Sequence, residues 1–80
     1  MKRITKRNLI IKKIKAFVGN GTIVKENSLL SDHLGIDSMD KIDLWMELED
    51  YFRVTIPEDE AKKMKSVKDV IKTIEKYTER

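Results

Sequence analysis

Hydrophobic side chains recur at helical spacing in three stretches of this 80-residue chain, and the period fails between them. Near the start, Ile4, Ile11, Ile14 and Val18, with Leu9, Ile10 and Phe17 beside them, fall on one side of a helix, and Gly19-Asn20-Gly21 ends the run. Residues 19 to 37 hold turn formers and scattered aliphatics, Ile23, Leu29, Leu30, Leu34 and Ile36, with no sustained period. That pattern predicts a long loop pinned to the core by its apolar side chains. A second helix is expected to start at Asp37-Ser38-Met39-Asp40, where Asp37 or Ser38 can accept from the free first-turn amides and the acids suit the positive helix end, and to run to about Arg53. Val54-Thr55-Ile56 is β-branched, and Pro57 is a good first residue for a short acidic turn or helix over 57 to 63. Ser66-Val67-Lys68-Asp69 has the form of a capping box with aspartate in the glutamate position, and Val67, Val70, Ile71, Ile74 and Tyr77 supply the buried stripe of a final helix. Repeats, linkers and low-complexity segments are absent from the sequence.

The second helix is the informative one. At about 100° per residue from Met39, the side chains of Leu44, Trp45, Leu48, Tyr51 and Phe52 fall between roughly 120° and 240°, an ordinary core face. Ile42 and Met46 do not join them; they lie within about 60° of Met39, nearly opposite the core. Asp40, Asp43, Glu47 and Asp50 form a stripe between roughly 20° and 100°. An apolar strip thus runs beside an acidic one. One explanation is a central helix buried on two sides with its acids merely solvated. The other is a docking surface, where apolar contacts hold a partner and charges steer it. Lys41 falls on the core side, a mismatch that snorkelling near the helix start would relieve.

Length and composition narrow the chemistry. Eighty residues make one domain, 1–80, with a modest core and no room for a deep catalytic cleft. With no cysteine, disulfides, thiolate metal sites and a cysteine nucleophile are excluded. No apolar run approaches a membrane span, and Met1-Lys2-Arg3 does not lead into the apolar stretch of a signal peptide, so a cytoplasmic location is expected. The net charge of +3 hides a segregation. Residues 1 to 25 carry Lys2, Arg3, Lys6, Arg7, Lys12, Lys13, Lys15 and Lys25 with no acid, whereas residues 26 to 60 carry eleven acids against Lys41 and Arg53. The tail from residue 61 is basic again, so an acidic centre lies between basic ends.

Against this background, Asp32-His33-Leu34-Gly35-Ile36-Asp37-Ser38-Met39-Asp40 resembles the segment around the modified serine of acyl carrier proteins, an Asp-Ser-Leu core after a Leu-Gly pair, with Met39 where leucine is usual. The similarity continues through Ile42-Asp43-Leu44-Trp45-Met46-Glu47-Leu48-Glu49-Asp50-Tyr51-Phe52 and Ile56-Pro57-Glu58-Asp59-Glu60-Ala61, and closes with Ser66-Val67. It covers most of residues 28 to 77. The resemblance implies an all-α four-helix bundle with a long loop between helices one and two and a short third helix. It also implies 4′-phosphopantetheine, drawn from coenzyme A, held as a phosphodiester on Ser38. A helix N-terminus suits both an exposed hydroxyl and the phosphate installed there. The arm's thiol would then supply the sulfur this chain lacks and hold acyl groups as thioesters. Asp37 and Asp40 oppose the phosphate electrostatically and are assigned to partners. The partner surface comprises Asp37, Met39, Asp40, Ile42, Asp43, Met46, Glu47 and Asp50, and the partners implied are a phosphopantetheinyl transferase and acyl-transfer and fatty-acid or polyketide synthase enzymes. In this family growing chains can fold back between helices, which makes Leu48, Ile56 and Ala61 candidate liners, with plain core as their alternative role.

On this reading the chain is a carrier and not an enzyme, a monomer serving fatty-acid biosynthesis. A polyketide, peptidyl or lipid-modification carrier, or an unmodified helical interaction module, is the alternative. A hydrolase with Ser38 as nucleophile needs an oriented base, and the only histidine, His33, reads as a loop residue. Asp37, Asp40 and Asp43 lack the alternating loop ligands and glycine of a calcium hand, so no metal is expected. The basic first helix could attract phosphates, but with an acidic centre and no nucleic-acid motif a solvated face or an intramolecular partner for the acids fits better. That basic excess departs from the family's commonly acidic character and points toward a specialised carrier.

Overall fold

Four helices follow one another along the chain, α1 Lys6–Val18, α2 Ser38–Phe52, α3 Glu58–Lys63 and α4 Val67–Thr78, in a computed structural model that describes residues 5–19 and 21–78. Ile4 and Asn20, assigned from the pattern to the first helix and its end, lie outside the described residues. Each start has a local cause. Thr5 accepts the Asn8 amide at 3.1 Å to open α1, and Asp37 accepts the Asp40 amide at 2.8 Å to open α2. Pro57 is the residue before α3 rather than its first, and its carbonyl accepts from Glu60 and Ala61. The box at α4 is reciprocal: the Ser66 hydroxyl accepts the Asp69 amide, and the Asp69 carboxylate accepts the amides of Ser66 and Lys65. α2 stops where Arg53 turns left-handed at φ 56°, which lets the Val54 amide reach back to the Glu49 carbonyl.

The core is built around α4. Val67, Val70, Ile71 and Ile74 stand at i, i+3, i+4 and i+7 and are buried, facing Ile10 and Ile14 of α1, Leu44 and Leu48 of α2 and Ala61 of α3. The main helix contacts join α1 to α2 and α4, and α4 to α2 and α3. α3 therefore leans on α4, where Lys76 donates to Glu60 at 3.2 Å, and is set off from α2.

The long loop is held by backbone as well as by side chains. Leu30 donates to the Lys65 carbonyl at 2.8 Å, Val67 to that of Ser28 at 3.0 Å and Lys68 to that of Glu26 at 2.8 Å, around an antiparallel bridge between Leu29 and Ser66. Extended backbone sends neighbouring side chains to opposite sides. Leu30, Leu34 and Ile36 are buried as expected, but Ile23 is 75% exposed and Leu29 faces solvent; Val24, not Ile23, pins the first part of the loop. On α2, Leu44 and Leu48 are core and Trp45 and Phe52 are partly buried against it, while Tyr51 is 47% exposed, contrary to its place on the core face. Its ring stands edge-on to Phe52 with the Lys13 ammonium 4.4 Å from its centroid, so it joins α1 to α2 at the surface. Among the described residues no helix is long and apolar enough to cross a membrane.

Candidate functional site

The loop delivers the chain to α2 through Gly35 and Ile36. Ile36 is buried, and its amide donates to the Leu30 carbonyl at 2.8 Å. Gly35 has φ 68°, a left-handed turn that glycine takes without strain. The next residue, Asp37, is spent on capping, so Ser38 enters as the first helical residue with an exposed side chain. Of the two capping candidates, Asp37 is the one the geometry selects. The Ser38 and Met39 amides have no intrahelical acceptor at this position, which leaves a positive helix end beside the Ser38 hydroxyl.

Ser38 also opens a groove. Ser38, Lys41, Ile42 and Trp45 stand at i, i+3, i+4 and i+7 on the side of α2 turned to α3, and Glu58, Ala61 and Lys62 answer from α3 across a gap of about 260 Å³. The gap follows from α3 resting on α4. Lys41 resolves its mismatch by snorkelling: its Nζ donates to the Lys62 carbonyl at 3.1 Å, at the C-terminal end of α3. Of the candidate liners, Ala61 borders this groove, whereas Leu48 and Ile56 are buried in the core. The spacing 38, 41, 42, 45 is present in the sequence, but only the position of α3 makes it one wall of a groove, and Trp45 serves both that wall and the core.

Met39, Ile42 and Met46 are 77%, 47% and 59% exposed, so the apolar strip faces solvent. Asp43, Glu47 and Asp50 beside it are exposed and Asp40 is half-exposed. Among the described residues, the ion pairs are Arg7 with Glu26, Lys62 with Glu58 and Lys76 with Glu60, and none uses a stripe acid. Exposed apolar groups and acids without an ion pair among the described residues thus run side by side along α2. His33 lies in the loop, where its Nδ1 accepts the Leu29 amide at 2.7 Å; that nitrogen is engaged with backbone and is not aimed at Ser38 as a base. Among the described residues no group of three or more potential ligands is placed to hold a metal ion.

A helical bundle that holds one exposed hydroxyl at a helix start, at the mouth of a groove and beside a sticky, charged strip, is a scaffold for something tethered. The family described as "Phosphopantetheine attachment site" matches residues 9–74. An acyl carrier protein of Clostridium acetobutylicum is 36% identical over 76 residues, covering 89% of this chain and 99% of that one. One from Campylobacter concisus is 47% identical over 53 residues, 66% of this chain and 69% of that one. The crystal structure of an acyl carrier protein from Thermotoga maritima superposes with a TM-score of 0.81 at 31% identity, covering 98% of this chain and 96% of that one. The chain belongs to the acyl carrier protein family. Its function is to carry acyl groups, and its cofactor is 4′-phosphopantetheine.

Proposed function

We propose that Ser38 is the residue that bears the arm, and that the carrier delivers its acyl groups to the enzymes of fatty-acid biosynthesis. The observation that supports this most is the Ser38 hydroxyl itself, exposed in the first turn of α2 with Asp37 already occupied as the cap. In the modification, that hydroxyl loses its proton and displaces the nucleotide part of coenzyme A from the phosphate that becomes the new diester. The unpaired amides of Ser38 and Met39 suit that phosphate. Once bound, the arm offers a thiol that holds acyl groups as thioesters. The chain's own part is to anchor, present and release to partners, with catalysis left to them.

The partner surface in this reading is the α2 strip of Met39, Ile42 and Met46 with Asp37, Asp40, Asp43, Glu47 and Asp50. A transferase or synthase with a basic rim would meet the acids first and close on the methionines. The same reading has the carrier act as a monomer in the cytoplasm, which sedimentation and cell fractionation test. Ser38 is tested by co-expression with a phosphopantetheinyl transferase and coenzyme A, followed by intact mass. The wild type gains one arm. Ser38→Ala stays folded, because Asp37 and not Ser38 caps the helix, and gains nothing; a modified Ser38→Ala protein would sink the assignment. The basic α1, whose Lys12 and Lys15 are exposed, favours a specialised carrier as the second reading, and a panel of acyl groups offered for loading separates the two.

A further inference from the structure

A single hydrogen bond spans the gap between α2 and α3. Lys41 Nζ donates to the Lys62 carbonyl at 3.1 Å, and among the described residues no other hydrogen bond or ion pair joins the two helices. That carbonyl lies in the last turn of a six-residue helix, where carbonyls have no intrahelical donor. The amides of Lys65 and Ser66, three and four residues on, donate to Asp69 instead. Lys41 is also the one basic residue of α2, and it makes no ion pair among the described residues. Standing three residues from Ser38, it is its neighbour on the helix surface, with about 5–6 Å between Cβ atoms at this spacing. Both residues border the α2–α3 groove, and both border a second groove lined by Leu29, Ile36 and Lys65. An arm leaving Ser38 by either groove therefore passes Lys41.

A phosphodiester on Ser38 carries a full negative charge, which the carboxylates of Asp37 and Asp40 nearby repel. The Lys62 carbonyl offers the ammonium only a dipole, and a hydrogen bond between opposite full charges is the stronger of the two. Other cations are less well placed: Lys62 faces Glu58 at 3.8 Å, and Lys65 borders the second groove alone. We infer that Lys41 is the positioning residue for the arm. On modification its ammonium leaves the Lys62 carbonyl and donates to the new phosphodiester, which fixes the root of the arm at the groove mouth. The same exchange removes the polar tie between α2 and α3, so the groove is strapped across before attachment and free to widen after it. The inference rests on Ser38 bearing the arm.

Arm-free and arm-bearing forms of the wild type, Lys41→Met, Lys41→Arg and Lys65→Met are prepared with ¹³C and ¹⁵N labels, and intact mass shows which carry the arm. A wild type that gains no mass overturns the Ser38 assignment, and this inference with it, before any spectrum is compared. A carbonyl carbon moves upfield when it loses a hydrogen bond. The Lys62 carbonyl carbon should therefore move upfield when the wild type gains the arm, to the position it already holds in arm-free Lys41→Met. The Lys65 carbonyl, which accepts from Leu30, should stay in place as an internal reference. In Lys41→Met, attaching the arm should leave both carbonyls where they were. The phosphodiester ³¹P signal should differ between the wild type and Lys41→Met, return toward the wild-type position in Lys41→Arg, and be unaffected by Lys65→Met. A Lys62 carbonyl signal that is the same in the arm-free and arm-bearing wild type overturns the inference. So does a ³¹P signal that Lys41→Met leaves in place, or one that only Lys65→Met moves, which would give the phosphate to Lys65. If Lys41→Met fails to fold or to take the arm, the wild-type Lys62 carbonyl, read against that of Lys65, decides alone.

Discussion

Asp69 stands outside the site and yet fixes the frame it hangs on. Burial by itself works to raise its pKa, but the amides of Lys65 and Ser66, the Ser66 hydroxyl and the nearby charge of Lys72 outweigh that and hold the carboxyl below the usual aspartate value of 3.8. A carboxyl depressed in the folded state contributes stability that is fully present above its unfolded pKa and is lost as pH falls through the folded one. Melting temperature should therefore drop on acidification below about pH 3.9 partly through this group. Asp69→Ala should cost about 1 kcal/mol at neutral pH and show a flatter acid limb than the wild type; parallel limbs in thermal melts across pH would remove Asp69 from the account. The capping box was legible because its partners are three residues apart. Glu49 was not legible in the same way. It reads as one more acid of the second helix, but its carboxylate accepts the Ile56 amide at 2.7 Å, seven residues on, and only the left-handed turn at Arg53 brings that amide within reach.

At the scale of elements, α2 divides its circumference among four neighbours: the core through Leu44 and Leu48, α1 through Tyr51, the groove and α3 through Trp45, and solvent through the acidic and apolar strips. The wheel found the strips and the centre of the core face. It misjudged that face's edge at Tyr51, because helical phase fixes a direction but not whether a neighbouring helix stands there. The helix ends were readable for the opposite reason, since caps and the proline act locally. The loop was half readable: its buried leucines could be named, but the alternation that turned Leu29 outward between Ser28 and Leu30 depends on pairing with the α3–α4 junction far along the chain. The exposed strip yields a prediction of its own. Reversing Asp43 and Glu47 to lysine should leave helicity near native, since neither makes an ion pair among the described residues, and should slow association with a partner synthase while changing dissociation little. Added salt should narrow the gap between wild type and the double variant, because exposed charges are screened beyond about 8 Å at physiological ionic strength. Stopped-flow association across salt concentrations measures both; unfolding of the double variant with unchanged transfer by its folded fraction would retire the docking surface.

Across the whole molecule, the segregation of charge along the sequence becomes a division between helices, with exposed Lys12 and Lys15 on α1 and exposed Asp43, Glu47 and Asp50 on α2. If the α2 acids meet a partner with a basic rim, its field should favour encounters that bring Ser38 forward. Holding that orientation useful requires the loop before Ser38 to stay in place, and the backbone ties from residues 26–30 to residues 65–68 do this without a covalent staple. They also join two distant stretches of chain. If the junction opens only as a whole, the amides of Leu30, Val67 and Lys68 should exchange with deuterium at rates reporting one shared free energy, and a denaturant series should move all three in step. Three unrelated slopes would mean that the ties break singly. One common slope would mean that the tether of the serine and the start of the last helix are, in the currency of solvent exchange, the same object.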